Sequence, residues 1–404
     1  MPTFSRRATI AIACAVILLI ISMGIRATTG LFMQPMTAAH GWLRADFAMA
    51  FAIQNLVWGL SNPLLGMVAD RFGSARAIVF GAICYIAGLV LMRYVDTPGG
   101  LILTNGVLIG IGLSGTTFSI LLGVVTRIVP AEKRSLALGI TAAGGSFGQF
   151  VMLPVGQELI GSFEWYGALI TLALIAGIMV PLTAGLMSRG GTPGVVDQQS
   201  MGQAIREATR HRSFHYIFLG YFTCGFHTAF ITLHFPAYIV DLGMPVSVGV
   251  AGIALVGLFN VIGTYTAGVL GGKHSKKNLL GYLYFGRAIV ILAFFLAPKT
   301  PATVYLFCGT IGLLWLGTIP LTNGLIGQIY GIRYVSTLTG IVFFGHQIGG
   351  FLGAWLGGYV FDRYQSYDLV WILSIVVGVT AALFSWPVDE RPIVRAPAST
   401  VVLA

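Results

Sequence analysis

The sequence predicts an all-α integral membrane protein of twelve transmembrane helices in two six-helix pseudo-repeats, on three observations. The first is composition. Of 404 residues, 56% are hydrophobic and 9% charged, with a mean hydropathy of +0.87, where a soluble domain carries about 25% charge. The second is length: apolar runs of about 20 residues, enough to cross a bilayer, tile nearly the whole chain. The third is an internal repeat. Ser135, Gly139, Gly144, Gly148 and Gly156 recur 201 residues later as Ser336, Gly340, Gly345, Gly349 and Gly357. Small residues at such spacing let helices approach closely in lipid, where no hydrophobic effect drives them together.

Taken in order, the spans fall at 8–35, 44–68, 76–95, 100–127, 134–160 and 165–187, then at 213–240, 246–271, 278–297, 302–329, 333–360 and 367–387. The first apolar stretch follows Arg6 and Arg7 but is too long for the core of a signal peptide, so it reads as a span. The expected organisation is a six-helix bundle over 1–187, a linker over 188–212, a second bundle over 213–387 and a tail over 388–404. The linker opens Gly- and Pro-rich, and its second part, Met201–Arg212, reads as a short amphipathic helix on the membrane surface. The tail after Trp386 is polar, then rich in Ala, Pro and Val, and reads as disordered.

The formal charge of +10 would fit nucleic acid, but its placement assigns it to topology. With both termini inside, 17 of the 23 Lys and Arg residues lie on the inner side, and outside fall Arg44, Arg93, Lys299 and Arg363. That is the positive-inside asymmetry, and no nucleic-acid partner is expected. Cys14, Cys84, Cys224 and Cys308 stand isolated within apolar runs, without metal spacing or pairing pattern. No cofactor is expected either.

The turn after the second span reads Gly66-Met-Val-Ala-Asp70-Arg71-Phe-Gly73-Ser-Ala-Arg76, with a weakened echo at Gly268–Asn278, where Gly272 stands in place of the acid. It resembles the signature loop of major facilitator transporters, Gly-x-x-x-Asp-Arg-x-Gly-x-x-Arg. The resemblance implies the major facilitator fold, substrate near the midplane between the halves, and a monomer in the cell membrane. It also implies a conformational latch from Gly66, Asp70, Arg71, Gly73 and Arg76. The carboxylate would cap a helix N-terminus, and the two arginines would pair with acids. Lys133-Arg134-Ser-Leu136-Ala137-Leu-Gly139, followed by Ala143-Gly144, is similar to the monocarboxylate-porter signature at the fifth span. Arg26-Ala-Thr-Thr-Gly-Leu-Phe32 is similar to the segment where those porters carry a basic substrate-contacting residue. The chain departs from those porters in the eighth span. Gly252–Gly272 holds Asn260 and Thr264 where they carry an Asp and an Arg.

Two basic residues remain inside the hydrocarbon, Arg26 and Arg287, and all 13 acids fall at or near helix ends or in loops. A membrane-embedded Arg costs at least about 2.5–3.5 kcal/mol and normally faces a cavity or a partner. With no intramembrane carboxylate in view, the simplest completing partner is an anionic substrate held by the planar guanidinium fork. The competing reading has each Arg bonding helix-end carbonyls. Two histidines sit deep: His227, the counterpart of Arg26 under the 201-residue offset, and His346, followed by Gln347. Either would bind an anion when protonated and release it when neutral. Asn55, Asn260 and Thr29 complete the candidate substrate-binding set, although such residues also glue helices together.

These readings favour a secondary transporter of small organic anions, a monocarboxylate by preference, working by alternating access with proton symport or anion exchange. The alternative within the same architecture is drug efflux. Cation export needs a membrane-embedded acid, and none is present. An enzyme is disfavoured, because no nucleophile–base set, metal cluster or phosphate loop stands at a membrane face.

Overall fold

The computed structural model describes residues 4–187 and 199–394, which form helices and connecting turns with no strand among them. Span 1 comprises α1 (Arg6–Ala27), a 3-10 turn (Thr28–Phe32) and α2 (Met33–His40). Span 2 is α3 (Arg44–Phe72) and span 3 is α4 (Ser74–Met92). Span 4 joins α5 (Pro98–Leu101), a π-helical stretch (Ile102–Ile109), α6 (Gly110–Thr116) and α7 (Phe118–Ile128). Spans 5 and 6 run as α8 (Ala131–Gly177), broken at Glu164, where φ is 56°, and end in α9 (Met179–Leu182) and a 3-10 turn (Thr183–Leu186). After α10 (Met201–Arg210) come spans 7, 8 and 9: α11 (Arg212–Asp241), α12 (Val246–Gly271) and α13 (Lys276–Leu296). Span 10 is split into α14 (Pro301–Leu313) and α15 (Thr318–Tyr330), span 11 is α16 (Val335–Tyr364), and span 12 is α17 (Asp368–Ser385).

Nine segments among the described residues are long and apolar enough to cross a bilayer, and one of them, Glu132–Leu186, is long enough for two passes. The remaining two passes are α3 and α16, with 29 and 30 residues. At about 1.5 Å per residue each exceeds the roughly 30 Å of hydrocarbon. The starts are written locally. Ser5, Thr97, Ser275 and Thr300 accept from backbone N–H groups of the first turns, satisfying donors that a helix leaves orphaned. The expected amphipathic helix of the linker is α10, capped reciprocally by Ser200 and Gln203 with Ala204 and Ala208 buried. The Gly/Pro-rich linker stretch 188–198 and tail residues 395–404 lie outside the described residues.

The repeated glycines make the crossings. Span 1 packs along span 5, and span 7 along span 11. A Cβ on Gly144 would sit 3.0 Å from the Val16 carbonyl oxygen, and one on Gly148 would strike that of Ile20. In the other half, Gly345 faces the Phe218 carbonyl at 2.8 Å from such a Cβ, while Gly349 and Gly353 leave no room for one against Phe222 and Phe226. The same helices then join the halves. Span 2 lies on span 11 and span 5 on span 8, with Gly340 against Pro63 and Gly139 against Gly268.

Alternating passes gather the α3–α4, α7–α8, α12–α13 and α15–α16 turns at one end, with Arg71, Arg76, Arg127, Lys133, Lys273 and Lys277. At this basic end Asp70 is 8% exposed. It accepts from Arg127 Nη1 at 2.5 Å and from Thr337 Oγ1 at 3.2 Å. Thr337 is in the first turn of α16, so one carboxylate ties spans 2 and 4 to span 11 at a helix N-terminus that favours negative charge. Gly73 takes φ 96° and ψ 147°, a backbone that glycine adopts without strain, and so lets α4 begin directly after α3. Gly66 is buried one turn before Asp70. The pairing expected of Arg71 and Arg76 is corrected. Both are exposed, and neither has an ion pair among the described residues. The acid of the loop turns inward, where Arg127 meets it, while Arg71 lies over the Phe72 ring. Arg127, which topology alone accounts for in the sequence, is the cation that pairs with Asp70.

At the opposite end Arg44 of span 2 meets Asp241 of span 7 at 3.3 Å, both side chains 27% exposed, and Arg44 also lies over Phe361 of span 11. Gly30 of span 1 packs on the Thr232 carbonyl of span 7. The two halves are thus bridged at both ends.

Two outcomes follow from this packing. Gly349→Leu overpacks the span 7–span 11 crossing by at least about 1–3 kcal/mol, read as a lower melting temperature of the purified protein, whereas Gly177→Leu, with nothing within 4 Å, leaves it unchanged. Asp70→Asn strands a half-buried Arg127, a loss of about 3–5 kcal/mol, and raises amide hydrogen exchange at the start of α16. Arg44→Ala breaks a more exposed pair of about 0.2–1 kcal/mol and raises exchange at the other end far less.

Candidate functional site

A cavity of about 40 Å³ lies between the halves, room for ordered water or a very small ion. Spans 1, 2, 4 and 5 contribute Met23, Arg26, Ala27, Trp58, Phe118, Gly145 and Gln149. Spans 7, 10 and 11 contribute Thr228 and Thr232, then Trp315, Leu316 and Ile319, then Phe343 and His346. Arg26 and His346 are its ionisable groups, one from each half, and no carboxylate lines it.

Arg26 sits at the end of α1, where the helix tightens into the 3-10 turn. Its Nη2 donates to Asn55 Oδ1 at 2.8 Å, and Asn55 is itself held by donating to the Phe51 carbonyl at 2.9 Å. The guanidinium carbon lies 4.9 Å from the Phe51 ring centroid and 5.0 Å from that of Trp58. Phe51, Asn55 and Trp58 follow at i, i+4 and i+7, one face of α3. Trp58 is fixed in turn by donating to Thr117 Oγ1 at 3.1 Å. The cation is stabilised by two ring faces and a neutral amide, and its buried Nε has no partner among the described residues. The guanidinium is thus held by neutral groups at the cavity wall, with no carboxylate against it among the described residues.

His346 stands across the cavity. Phe343 stacks on it with centroids 5.1 Å apart at 12°, Tyr221 lies at 5.0 Å, and its Nδ1 is 3.4 Å from Gln347 Oε1. Gln347 Nε2 is buried without a partner among the described residues. Gly350 is bordered by both Asn55 and Gln347, and Gly59 admits the Gln347 stem against span 2. Arg26, Asn55, His346 and Gln347 are therefore brought together where the halves meet.

The structure places the other candidates elsewhere. Arg287 is fully buried and gives its Nε to the Leu314 carbonyl at 2.8 Å and its Nη2 to the Trp315 carbonyl. These carbonyls are freed where span 10 breaks between α14 and α15. Asn260 serves the same break, its Oδ1 accepting from Leu316 N and Thr264 Oγ1, both at 2.8 Å. His227, fully buried, bonds the Ser374 carbonyl of span 12 at 2.7 Å, which turns it away from the cavity. Thr29 is buried in the 3-10 turn beyond Arg26 and is not part of the cavity wall.

The aromatic groups were not predicted. Phe51, Trp58, Phe118, Trp315 and Phe343 carry no distinguishing mark in a chain with 12% aromatic residues. For the first two the i, i+4, i+7 spacing around Asn55 is the signal. For Phe118 and Trp315 the location is decided by helix breaks in spans 4 and 10, which align under the repeat offset, Thr117 mapping on Thr318.

The family model described as Major Facilitator Superfamily matches residues 15–354. The chain is 24% identical over 359 residues to monocarboxylate transporter 13 of Bos taurus, covering 87% of this chain and 82% of that one. It is 24% identical over 388 residues to the oxalate:formate antiporter of Oxalobacter formigenes, covering 94% and 91%. Its fold matches that of FucP, a Major Facilitator Superfamily transporter in the outward conformation, with a TM-score of 0.71 at 16% identity, over 95% of this chain and 100% of that one. With twelve helical passes, a repeat that joins two halves around a central cavity and a family model spanning most of its length, the chain belongs to the Major Facilitator Superfamily of transporters.

Proposed function

We propose that this transporter carries a small organic anion, a monocarboxylate, across the cytoplasmic membrane by alternating access, with Arg26 as the anion's anchor. The observation that carries the reading is the state of Arg26. It is a cation in a membrane span, lining the cavity, with an amide and two ring faces around it and no carboxylate. A carboxylate entering the cavity completes it with bidentate charge-assisted hydrogen bonds, while Asn55 holds the fork in orientation. The names of the relatives, a monocarboxylate transporter and an oxalate:formate antiporter, support the same substrate class.

The basic end is placed in the cytoplasm by the positive-inside rule, which puts both termini inside. Residues 1–187 and 213–387 then move as two bodies. Opening inward releases Asp70 from Thr337, opening outward releases Arg44 from Asp241, and a cavity closed at both ends is the intermediate between them. The transporter acts as a monomer and needs the lipid bilayer, an anion and, under symport, protons.

The test is uptake of labelled formate, lactate, pyruvate and oxalate by proteoliposomes. Wild type takes up at least one of them saturably. Arg26→Ala raises the apparent KM roughly 100-fold or abolishes uptake, the effect of deleting one side of a buried charge pair. Arg26→Lys keeps the charge but loses the fork and falls between the two. Undiminished carboxylate uptake by Arg26→Ala would remove the anchor, and movement of lipophilic cations in place of carboxylates would return the efflux alternative.

A further inference from the structure

We propose that Arg6, Arg71 and Arg76 form a docking surface for the phosphates of anionic phospholipids, at the lipid-facing rim of the basic end of residues 1–187. Only the inward placement of that end is taken from the reading above, and the substrate does not enter.

Each of the three arginines ends a stripe of exposed apolar side chains. On α1, Arg6, Ile10 and Ile17 follow at i, i+4 and i+11. On α3, Leu60, Leu64 and Arg71 repeat that spacing, and on α4, Arg76, Phe80 and Ile83 follow at i, i+4 and i+7. Positions so spaced share one face of a helix, and all of these side chains are exposed. In a bilayer such faces meet acyl chains, so each guanidinium snorkels to the headgroups at the foot of its stripe. The feet are joined at one rim. Ser74 Oγ of α4 donates to the Leu186 carbonyl at 2.6 Å, and Gly185 leaves no room for a Cβ against Cys14 of α1. The end of span 6 therefore lies between α1 and α4, while Gly73 alone joins α4 to α3. Phe72 and Met187 are exposed beside them, apolar groups suited to the boundary between headgroups and acyl chains.

Arg6, Arg71 and Arg76 enter no ion pair among the described residues. The acids of the first half at this end are Asp70 and Glu132. Asp70 is taken up by Arg127 and Thr337, and Glu132 opens α8 beside Lys133 and Arg134. The second half answers its corresponding turn from within. Residues 388–393 fold back after span 12, where Ile393 N donates to the Ile329 carbonyl at 3.0 Å. Glu390 Oε1 accepts from Lys277 N at 3.0 Å. Its carbonyl accepts from Gln328 Nε2 at 2.9 Å, and Gln328 Oε1 accepts from Lys276 Nζ at 2.7 Å. For the first half, a phosphate supplies the acceptors that a guanidinium fork binds in bidentate fashion, and anionic headgroups attract arginines at the membrane surface. A soluble anion would meet the same cations, but only a lipid also covers the apolar stripes that lead to them.

The experiment uses the full chain, with bound lipid counted by native mass spectrometry. Backbone hydrogen exchange is followed in nanodiscs of phosphatidylcholine with or without phosphatidylglycerol. Wild type retains phosphatidylglycerol in preference to phosphatidylcholine, less so at high salt. With phosphatidylglycerol present, exchange slows at residues 70–76. Each arginine replaced by Gln weakens retention about fivefold. The triple variant Arg6→Gln/Arg71→Gln/Arg76→Gln thus loses about a hundredfold, and the slowed exchange with it. The triple Arg→Lys variant keeps the charge and most of the retention, which separates binding from folding. Lys273→Gln/Lys276→Gln/Lys277→Gln removes as many charges from the second half and leaves both readouts at wild-type values. Equal retention of the two lipids by wild type overturns the inference, as does unchanged exchange at residues 70–76, a result that needs no variant to fold. An equal loss in the lysine triple shows unspecific surface charge and overturns it as well. Slowed exchange with inorganic phosphate alone, in phosphatidylcholine, makes this a site for soluble anions and also overturns it. No transported anion is present, so these outcomes leave the substrate reading untouched.

Discussion

Helices in lipid gain nothing by merely hiding apolar surface from one another, so association depends on how closely their backbones approach. Here that approach is set by glycines with a neighbour's carbonyl where a Cβ would stand: Gly144 and Gly148 of span 5 against span 1, and Gly345, Gly349 and Gly353 of span 11 against span 7. Everything at the centre depends on these two crossings. They bring Arg26 of span 1 beside span 5, and His346 of span 11 beside span 7. The helices that carry the intra-half contacts also carry the contacts between halves, through Gly139 against Gly268 and Gly340 against Pro63. A single pattern of small residues therefore builds each half and shapes the surface on which the halves meet.

The same low dielectric that makes backbone packing decisive makes every embedded charge a problem to be solved, and the chain solves its two arginines differently. Arg287 is committed to backbone carbonyls of its own half, with its buried Nη1 left without a partner among the described residues. Span 10 breaks at Leu314–Gly317, and the carbonyls this releases are taken by the guanidinium, while Asn260 takes the free amide of Leu316. Irregular backbone is tolerated at membrane depth only where its polar groups are matched in this way. Arg26 instead faces the cavity, partnered by an amide and two aromatic faces, its buried Nε without a partner among the described residues. The first arrangement shapes the cavity wall at Trp315 and Leu316, and the second supplies the charge inside it.

The ends of the bundle differ in strength. The basic end is held by a carboxylate that is nearly buried, bonded to Arg127 within its own half and to Thr337 across the interface. The other end is held by a more exposed ion pair, screened by water and salt. The second-half copy of the loop has Gly272 where Asp70 stands, so the repeat provides this buried carboxylate once.

The sequence by itself determined the twelve passes, their order and the repeat, because crossing a bilayer demands long apolar runs and close helix packing demands small residues at fixed spacing. It also singled out Arg26 and His346, since an embedded cation stands out in an apolar run. Only the tertiary structure separated Arg26 from Arg287, and His346 from His227. Each pair looks alike along the chain, and the difference lies in carbonyls freed by a helix break or offered by a neighbouring span, which depend on residues far away in sequence. The partner of Asp70 was hidden for the same reason. Arg127 lies 57 residues away, with nothing local to tell it from Arg71 or Arg76. Apolar periodicity is written locally, whereas the completion of a buried charge is decided by whichever atoms the folded bundle brings to it.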